Sequence, residues 1–279
     1  MSNSNDTPKI IPRQIKWYGY IPDLPDRRDK LYKVSRRKKT FPSKVDLSET
    51  IDSKFPIYDQ SALGSCTANS IGAALAIVNI KQDIDNNRFD NSKIFTPSRL
   101  FIYYNERAME GTIGEDSGAM IRDGIKSVNS LGVCKENTWT YDISKFTQKP
   151  SDPSYSEALF HQALKYERLD NTNINQLKNV LANDGLPFVF GFTVYESFES
   201  DDVAKTGNMP MPGPNERVLG GHAVLCVGYD DTTKRFKVRN SWGNDWGSGG
   251  YFFMPYDYMT NPNLVDDSWV ISIVEESDQ

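Results

Sequence analysis

The sequence predicts an α+β fold made of two subdomains with a cleft where they meet. Helical patterns dominate from about residue 55 to about residue 160, and from about residue 161 to residue 279 one further helical pattern is followed by strand patterns. A run of helices followed by a run of strands is typical of α+β proteins. We therefore expect a domain over residues 41–279 that consists of a helical lobe and a β-rich lobe.

The four predicted helices come first. "CTANSIGAALAIVNIK" starts at Cys66 and is apolar on nearly all sides, which predicts a buried helix. The second helix is expected to have Thr96 as its N-cap and Pro97 at its first position. Gly132 is expected to close the third helix, "GEDSGAMIRDGIKSVNSLG", and Gly185 to close the fourth, "NINQLKNVLANDG".

The predicted strands follow the fourth helix. They are "PFVFGFTVYESF", "GGHAVLCVGYDD", "RFKVRNSW", "GYFFMPY" and "SWVISIVE", each with turn residues around it. The second and third of these strands are expected to form a hairpin around Asp231 to Lys234.

Residues 1–40 read as a basic N-terminal arm. They contain eleven Lys and Arg against four Asp, a net charge of +7, whereas the remainder has 21 basic and 33 acidic residues, a net charge of −12. The segment "WYGYIPDLPDRRDKLY" predicts extended backbone near the polyproline conformation. Three interpretations stay open: a solvated tail, a nucleic-acid or nuclear-import patch, or an arm that docks on its own acidic domain.

Composition limits the classes of function. No stretch has the 18 or more apolar residues of a membrane helix, and the first residues show no signal-peptide core. We therefore expect no membrane partner, and a location in the cytoplasm or, for a viral protein, in the host cytoplasm or the virion. A nucleic-acid partner is not expected, because the basic arm is its sole support.

The cysteines and histidines are few. Three cysteines, Cys66, Cys134 and Cys226, argue against a disulfide framework, and Cys226 in "AVLCVGY" reads as a small buried hydrophobe. The two histidines are His161 and His222, and this set predicts neither a metal site nor a cofactor. His161 is expected on an amphipathic helix in "EALFHQALKYE", with a surface or packing role.

Cys66 and His222 are candidates for a nucleophile and its base. A helix N-terminus and a neighbouring imidazolium lower the pKa of a thiol, and Gly64 and Ser65 leave little bulk beside Cys66. His222 opens an apolar strand after Gly220 and Gly221, where it can face a cleft. A structural cysteine and a core histidine are the alternatives.

Asn240 and Gln60 are the candidates for the residue that orients the base and for the oxyanion donor. Antiparallel pairing of the hairpin brings Asn240 to within about two residues of facing His222, so its amide can orient the imidazole. Trp242 can cover that hydrogen bond from water. Gln60 can donate to a developing oxyanion together with the Cys66 amide, although taken alone it is better explained as a polar turn residue.

Three stretches, "QSALGSCTANS", "GGHAVLCVGYDD" and "VRNSWGNDWGSGGYFFMP", together resemble the papain-like cysteine peptidases. The resemblance spans roughly residues 45–275. It implies a papain-like two-subdomain fold, with a helical left lobe, a β-barrel-like right lobe and the active-site cleft between them. It also implies Cys66 as nucleophile, His222 as base, Asn240 as the orienting residue and Gln60 as the oxyanion donor.

The resemblance also implies substrate contacts. "EDSGAMIRDGIKSVNSLGV" is similar to the stretch in which the family pairs a glycine with the substrate backbone, and Gly118 is the matching position. We further expect substrate-binding roles for Gly221, Trp242 and Trp269, the last as a wall of a specificity pocket.

The chain departs from the common family pattern. The family's C-G-S-C-W appears here as "LGSCT", with Leu63 in place of a disulfide-bonded cysteine and Thr67 in place of tryptophan. These departures resemble a divergent, disulfide-free branch found in bacteria and large viruses, in which a "PDLPD.RD" segment is similar to residues 22–29 here. No histidine occurs between Cys66 and His161, so the occluding loop of the cathepsin B subgroup is not expected.

The sequence thus predicts a cysteine endopeptidase that acts on polypeptides. Residues 1–40 are expected to be a short pro-segment or an extension that covers the cleft and inhibits the enzyme. Two other functions remain open. One is a catalytically silent papain fold used as a binding module, and the other is a related acyl-transfer enzyme such as a deamidase or a transglutaminase-like protein.

Overall fold

A computed structural model describes residues 18–34, 40–51 and 54–274. Its helices are α1 (Ser48–Ile51), α2 (Cys66–Asp85), α3 (Arg99–Glu110), α4 (Ile121–Leu131), α5 (Asp152–Ala158), α6 (Ile174–Asn179), α7 (Asp201–Thr206) and α8 (Tyr256–Met259). Its strands are β1 (Tyr20–Ile21), β2 (Lys44–Asp46), β3 (Ala119–Met120), β4 (Ala163–Arg168), β5 (Phe188–Tyr195), β6 (Val218–Asp230), β7 (Arg235–Arg239), β8 (Tyr251–Pro255) and β9 (Val265–Val274). The α+β prediction is confirmed.

Helix α2 is the centre of the helical half. It begins at Cys66, as expected, and every residue from Cys66 to Val78 is buried, because the helix is apolar all round and packs against both α3 and β6. Gly132 closes α4, and Gly185 ends the fourth helical segment, in which α6 continues as a wider π-helical turn over Val180–Asp184.

Two local predictions are wrong. Helix α3 begins at Arg99 and has Ser98, not Thr96, as its N-cap, because the Ser98 hydroxyl accepts from the Phe101 amide; Pro97 lies before the helix. His161 is not on a helix. It lies between α5 and β4, buried, with its ring stacked on Phe95 at 4.0 Å between centroids, so it has the packing role.

The β-rich half is a seven-stranded sheet in the order β4-β9-β5-β6-β7-β8, with β2 paired to β6, and all of its pairings are antiparallel. The hairpin between β6 and β7 turns over Asp231 to Lys234, as predicted. Within the described residues the first and last strands of the sheet do not pair with each other, so the sheet is open. The predicted β-barrel-like lobe is therefore barrel-like only in a loose sense. The sheet carries His222 on β6 toward the N-terminus of α2.

The described part of the arm, residues 18–34, lies along the body of the molecule. Strand β1 pairs in parallel with β3, and farther along the arm the amide of Tyr32 donates to the carbonyl of Arg168 at 2.9 Å. The predicted extended backbone is therefore correct for this part. Residues 1–17 and 35–39, which hold much of the basic charge, lie outside the described residues.

In the described ranges no helix is both long and apolar enough to cross a membrane. The same ranges contain no cluster of His, Cys, Asp and Glu side chains suited to a metal ion.

Candidate active site

Cys66 occupies the N-terminus of α2, where the preceding turn has small residues. The Gly64 amide donates to the Asp116 carboxylate at 3.0 Å, and this bond anchors the turn to the segment before β3. The amide of Ala223, the residue after His222, donates to the Cys66 sulfur at 3.4 Å. The fold therefore brings the start of α2 and the middle of β6 into direct contact.

The thiol is fully buried. Burial raises the pKa of Cys66 to about 12, while hydrogen bonds from the amides of Ala223, Gly19 and Thr67 lower it and the nearby Glu106 raises it. A buried thiolate is costly because it leaves water for a medium of low dielectric constant. In this arrangement the sulfur is therefore held as the protonated thiol.

His222 and Asn240 form a hydrogen-bonded pair. The distance from His222 Nε2 to Asn240 Oδ1 is 2.8 Å, and the same oxygen accepts from the Ser241 amide at 2.9 Å. An amide oxygen can only accept, so the Nε2 atom carries the proton and the Nδ1 atom is the nitrogen with basic character. The predicted proximity of Asn240 to His222 is thus present.

Aromatic rings surround this pair. The Trp242 ring lies 5.1 Å from the His222 ring between centroids, at an interplanar angle of 30°. Tyr18 of the arm lies against both rings, with its ring 5.7 Å from His222 and 6.2 Å from Trp242. The three rings therefore pack as one cluster.

Gln60 is held by the strand end that carries Asn240. Its Oε1 accepts from the Ser241 hydroxyl at 2.6 Å, and its Nε2 donates to the carbonyl of Leu63 at 3.0 Å. One of the two Nε2 hydrogens satisfies that carbonyl, which leaves the second available for another acceptor. The side chain is buried and oriented before any ligand arrives.

The arm crosses the site at Gly19. Its carbonyl accepts from the Ala119 amide at 2.8 Å, and its amide donates to the Cys66 sulfur. The approach is so close that a Cβ atom on Gly19 would lie 1.7 Å from the Gly64 oxygen, and one on Gly118 would lie 2.2 Å from the Gly19 oxygen. Gly118 therefore provides space, while its neighbour Ala119 supplies the amide that pairs with the arm.

Gly221 has a similar role on β6. A Cβ atom there would lie 2.7 Å from the Tyr20 carbonyl oxygen, and on neighbouring strand β5 one on Gly191 would lie 2.1 Å from the Tyr20 ring. These glycines leave the room that the Tyr20 side chain fills.

Trp269 lies farther along β9. It is buried, and its indole nitrogen donates to the Asp23 carboxylate of the arm at 3.0 Å. The guanidinium groups of Arg122 and Arg168 lie 5.8 and 5.6 Å from its ring. Five of the other predicted residues lie against the crossing arm: Cys66, His222, Gly118, Gly221 and Trp242. Asn240 and Gln60 support this set through bonds to His222 and to Leu63.

Some residues of the site were missed by the sequence reasoning. Asp116 anchors the turn before Cys66 and accepts from Tyr103, and the "EDSG" motif was a signal for it. Thr67, which stands where the family has tryptophan, donates to the buried Glu106 at 2.6 Å. Burial raises the pKa of Glu106 well above its usual value, and no local pattern in the sequence signals this contact.

Comparison with known proteins agrees with the geometry. The profile of the family described as "Papain family cysteine protease" matches residues 41–268. An uncharacterized peptidase C1-like protein of Acanthamoeba polyphaga mimivirus is 45% identical over 280 residues, which cover 93% of this chain and 88% of that protein.

Solved structures show the same fold. Xylellain, a cysteine protease from Xylella fastidiosa, superposes with a TM-score of 0.82 at 43% identity, over 96% of this chain and 99% of that one. A procathepsin B from Trypanosoma congolense shares the fold with a TM-score of 0.68 at 18% identity, over 93% of this chain and 86% of that one. The chain belongs to the papain family of cysteine proteases and is a thiol peptidase.

Proposed function

We propose that this protein is a cysteine endopeptidase whose own arm holds it in a latent state. The observation that carries the proposal is the position of Gly19, whose amide donates to the Cys66 sulfur while Tyr18 lies against His222. A peptide substrate needs the space that these two arm residues occupy.

The chemistry follows from the residues in the cleft. Once the arm leaves, the Cys66 thiol gives its proton to His222 Nδ1, and the sulfur attacks the carbonyl carbon of a peptide bond. The imidazolium then protonates the leaving amine, so the C–N bond breaks and a thioester remains. His222 next takes a proton from water, whose oxygen displaces the sulfur, and the acid product leaves.

Asn240 and Gln60 assist without exchanging protons. The bond from His222 Nε2 to Asn240 Oδ1, 2.8 Å long, fixes the tautomer that leaves Nδ1 as the base. Gln60 Nε2 and the Cys66 amide donate to the oxyanion of the tetrahedral intermediate. Preorganised donors of this kind contribute about 3 kcal/mol each to transition-state stabilisation.

The arm resists cleavage because of what it presents to the thiol. The Gly19 amide donates to the sulfur, and the Gly19 carbonyl is engaged by the Ala119 amide at 2.8 Å, so the backbone of the arm is held in place at the thiol. The covered thiol is also protonated, since burial raises its pKa to about 12. Steric exclusion and an inactive ionisation state therefore support latency together.

Gly19→Ala in the full-length chain tests the proposal. The new Cβ would lie 1.7 Å from the Gly64 oxygen, so the arm must leave the cleft. Overpacking costs about 1–3 kcal/mol, which corresponds to an increase in the open fraction of about five- to hundredfold. We expect faster hydrolysis of a quenched fluorescent protein substrate, and alkylation of Cys66 by iodoacetamide at a lower pH than in the wild type.

The matched control is Gly114→Ala. A Cβ atom on Gly114 would meet no atom within 4 Å, and the residue has an ordinary φ, so this variant should behave like the wild type. Adding Cys66→Ser to Gly19→Ala should abolish hydrolysis. An open arm without hydrolysis or Cys66 alkylation would contradict the peptidase proposal, whereas full activity in the wild type would contradict latency alone.

A further inference from the structure

The Tyr20 side chain fills a pocket beside the nucleophile. Tyr20 follows Gly19, the residue at the Cys66 sulfur, and it is 7% exposed. Glycines form two walls of the pocket: a Cβ on Gly191 would lie 2.1 Å from the Tyr20 ring, and one on Gly221 would lie 2.8 Å from it. Space for a six-membered ring is therefore part of the body, one residue away from the reacting sulfur.

The floor of this pocket is the buried carboxylate of Asp267. Its Oδ2 atom accepts from the Tyr20 hydroxyl at 2.6 Å and from the Asp23 amide at 2.6 Å. Both donors belong to the arm. When the arm leaves, Oδ2 loses both hydrogen bonds, so a substrate that brings no donor leaves a buried carboxylate oxygen unsatisfied.

The charge of the floor is already balanced. The other carboxylate oxygen, Oδ1 of Asp267, accepts from Arg168 Nη2 at 2.6 Å, and Arg168 also pairs with Asp266 at 2.9 Å. Arg122 lies 5.8 Å from the Trp269 ring and adds a second positive charge, so the guanidinium groups of Arg122 and Arg168 and the carboxylates of Asp266 and Asp267 remain there when the arm leaves. A neutral donor therefore fits this floor better than a cationic side chain does.

We propose that the Tyr20 pocket is a substrate subsite and that Asp267 makes it select tyrosine over phenylalanine, lysine and arginine. The inference rests on the proposed function and names the substrate class of that same site. The arm residue is then a mimic of the preferred substrate side chain, held in the subsite by the pairing of β1 with β3.

The test uses full-length Gly19→Ala and four sets of quenched peptides. Each set places Tyr, Phe, Lys or Arg at one of the three positions before the scissile bond. At one position we expect kcat/KM for Tyr to exceed that for Phe by about tenfold or more, since a hydrogen bond to a charged acceptor discriminates by about ten- to hundredfold. Lys and Arg should be poorer than Tyr there.

Asp267→Asn in the same background should reduce the Tyr to Phe ratio of kcat/KM at least about threefold, because it weakens the acceptor that only the tyrosine hydroxyl uses. Asn suits the backbone of Asp267, whose φ is 52°, because Asn tolerates the left-handed region. Asp266→Asn is the matched control: Asp266 is the neighbour on β9 and also bonds Arg168, but it has no bond to Tyr20.

A second measurement does not depend on the variant at Asp267. Tyr20→Phe in the otherwise wild-type chain removes only the hydroxyl, so the arm should open more often and hydrolysis should rise about fivefold or more. An active enzyme with equal Tyr and Phe rates at all positions, or with Arg above Tyr, overturns the subsite proposal and leaves the peptidase intact. No hydrolysis together with an unreactive Cys66 overturns both.

Discussion

The arm has two parts that hold the body in different ways. The cleft segment, residues 18–21, is held through its backbone, by the pairing of Tyr20 with Ala119 and the close fit of Gly19. The clasp, residues 23–32, is held through charges. Asp29 pairs with Arg122 at 2.7 Å and with Arg168 at 3.4 Å in largely buried surroundings.

This difference means that the cleft segment covers the site, whereas the clasp attaches the arm to the body. A backbone that fits between glycines covers the thiol whatever its side-chain charges are, so Gly19→Ala removes the arm from the cleft without changing any charged residue of the clasp. Buried ion pairs respond strongly to the loss of one partner and to pH, whereas backbone pairing does not. We therefore expect variants in the clasp to control how often the arm leaves the cleft.

Arg122→Met should have the largest effect. The Arg122 side chain is buried, pairs with Asp29 at 2.7 Å and donates to the Leu24 carbonyl. Removing one partner of a buried pair costs about 3–5 kcal/mol, because the other charge is left unpaired. Hydrolysis by the full-length variant should rise by about a hundredfold, up to the level of Gly19→Ala.

Lys126→Met is the control on the same helix. Lys126 also faces an arm carboxylate, that of Asp26 at 3.7 Å, but it is one third exposed, so the pair is screened by solvent. Its loss should change hydrolysis less than about threefold. Equal effects of Arg122→Met and Lys126→Met would show that charge count, not burial, attaches the arm.

The proximity of His222 and Asn240 was predictable because its signal is local: His222 lies on β6 and Asn240 follows β7 of the same hairpin. The start of α2 at Cys66 was also predictable from its apolar pattern, whereas its contact with β6 was expected only from the family resemblance. The clasp was not predictable from local signals. Asp23, Arg122 and Asp267 come from three distant parts of the chain, and the fold brings both Arg122 and Asp267 within hydrogen-bonding distance of Asp23.

The wrong helix prediction around His161 also results from a contact between distant parts of the chain. The stretch after His161 has a helical pattern, but it forms β4 because it pairs with β9 about a hundred residues later, and that tertiary pairing outweighs local propensity. Trp269 was predicted as a wall of a specificity pocket from its position alone. Whether it contacts substrate stays a prediction, since in the docked state its indole nitrogen bonds Asp23.

The second-largest effect that we expect is a pH dependence of the docking of the arm. Burial and the nearby Asp267 carboxylate raise the pKa of Asp23 to about 7, while Arg122 and Trp269 oppose the rise. Since an exposed aspartate titrates near 3.9, docking of the arm takes up a proton. The stabilisation is therefore complete below about pH 4 and is lost as pH rises through 7.

The ratio of wild-type to Gly19→Ala hydrolysis measures this effect, because catalysis contributes equally to both rates. We expect the ratio to rise with pH, by up to about tenfold per pH unit between pH 4 and 7. Asp23→Asn, which cannot ionise, should make the ratio nearly constant. A ratio that falls as pH rises would mean that Asp23 stays ionised beside Arg122 and Arg168, so that the clasp is a simple ion pair.

The smallest effect is expected at the far end of the clasp, at Tyr32. Its hydroxyl donates to Asp184 at 2.5 Å and accepts from Asn179, but it is only half-buried, and the backbone bond from Tyr32 to Arg168 does not need the side chain. Tyr32→Phe should cost about 1 kcal/mol of docking, which raises hydrolysis about fivefold. Tyr155→Phe is the matched control, since that half-buried hydroxyl bonds Asn105 away from the arm. If Tyr32→Phe opened the arm as far as Arg122→Met does, the clasp would dissociate as a single cooperative unit. The burial of each charged pair would then not determine how much each residue contributes to docking of the arm.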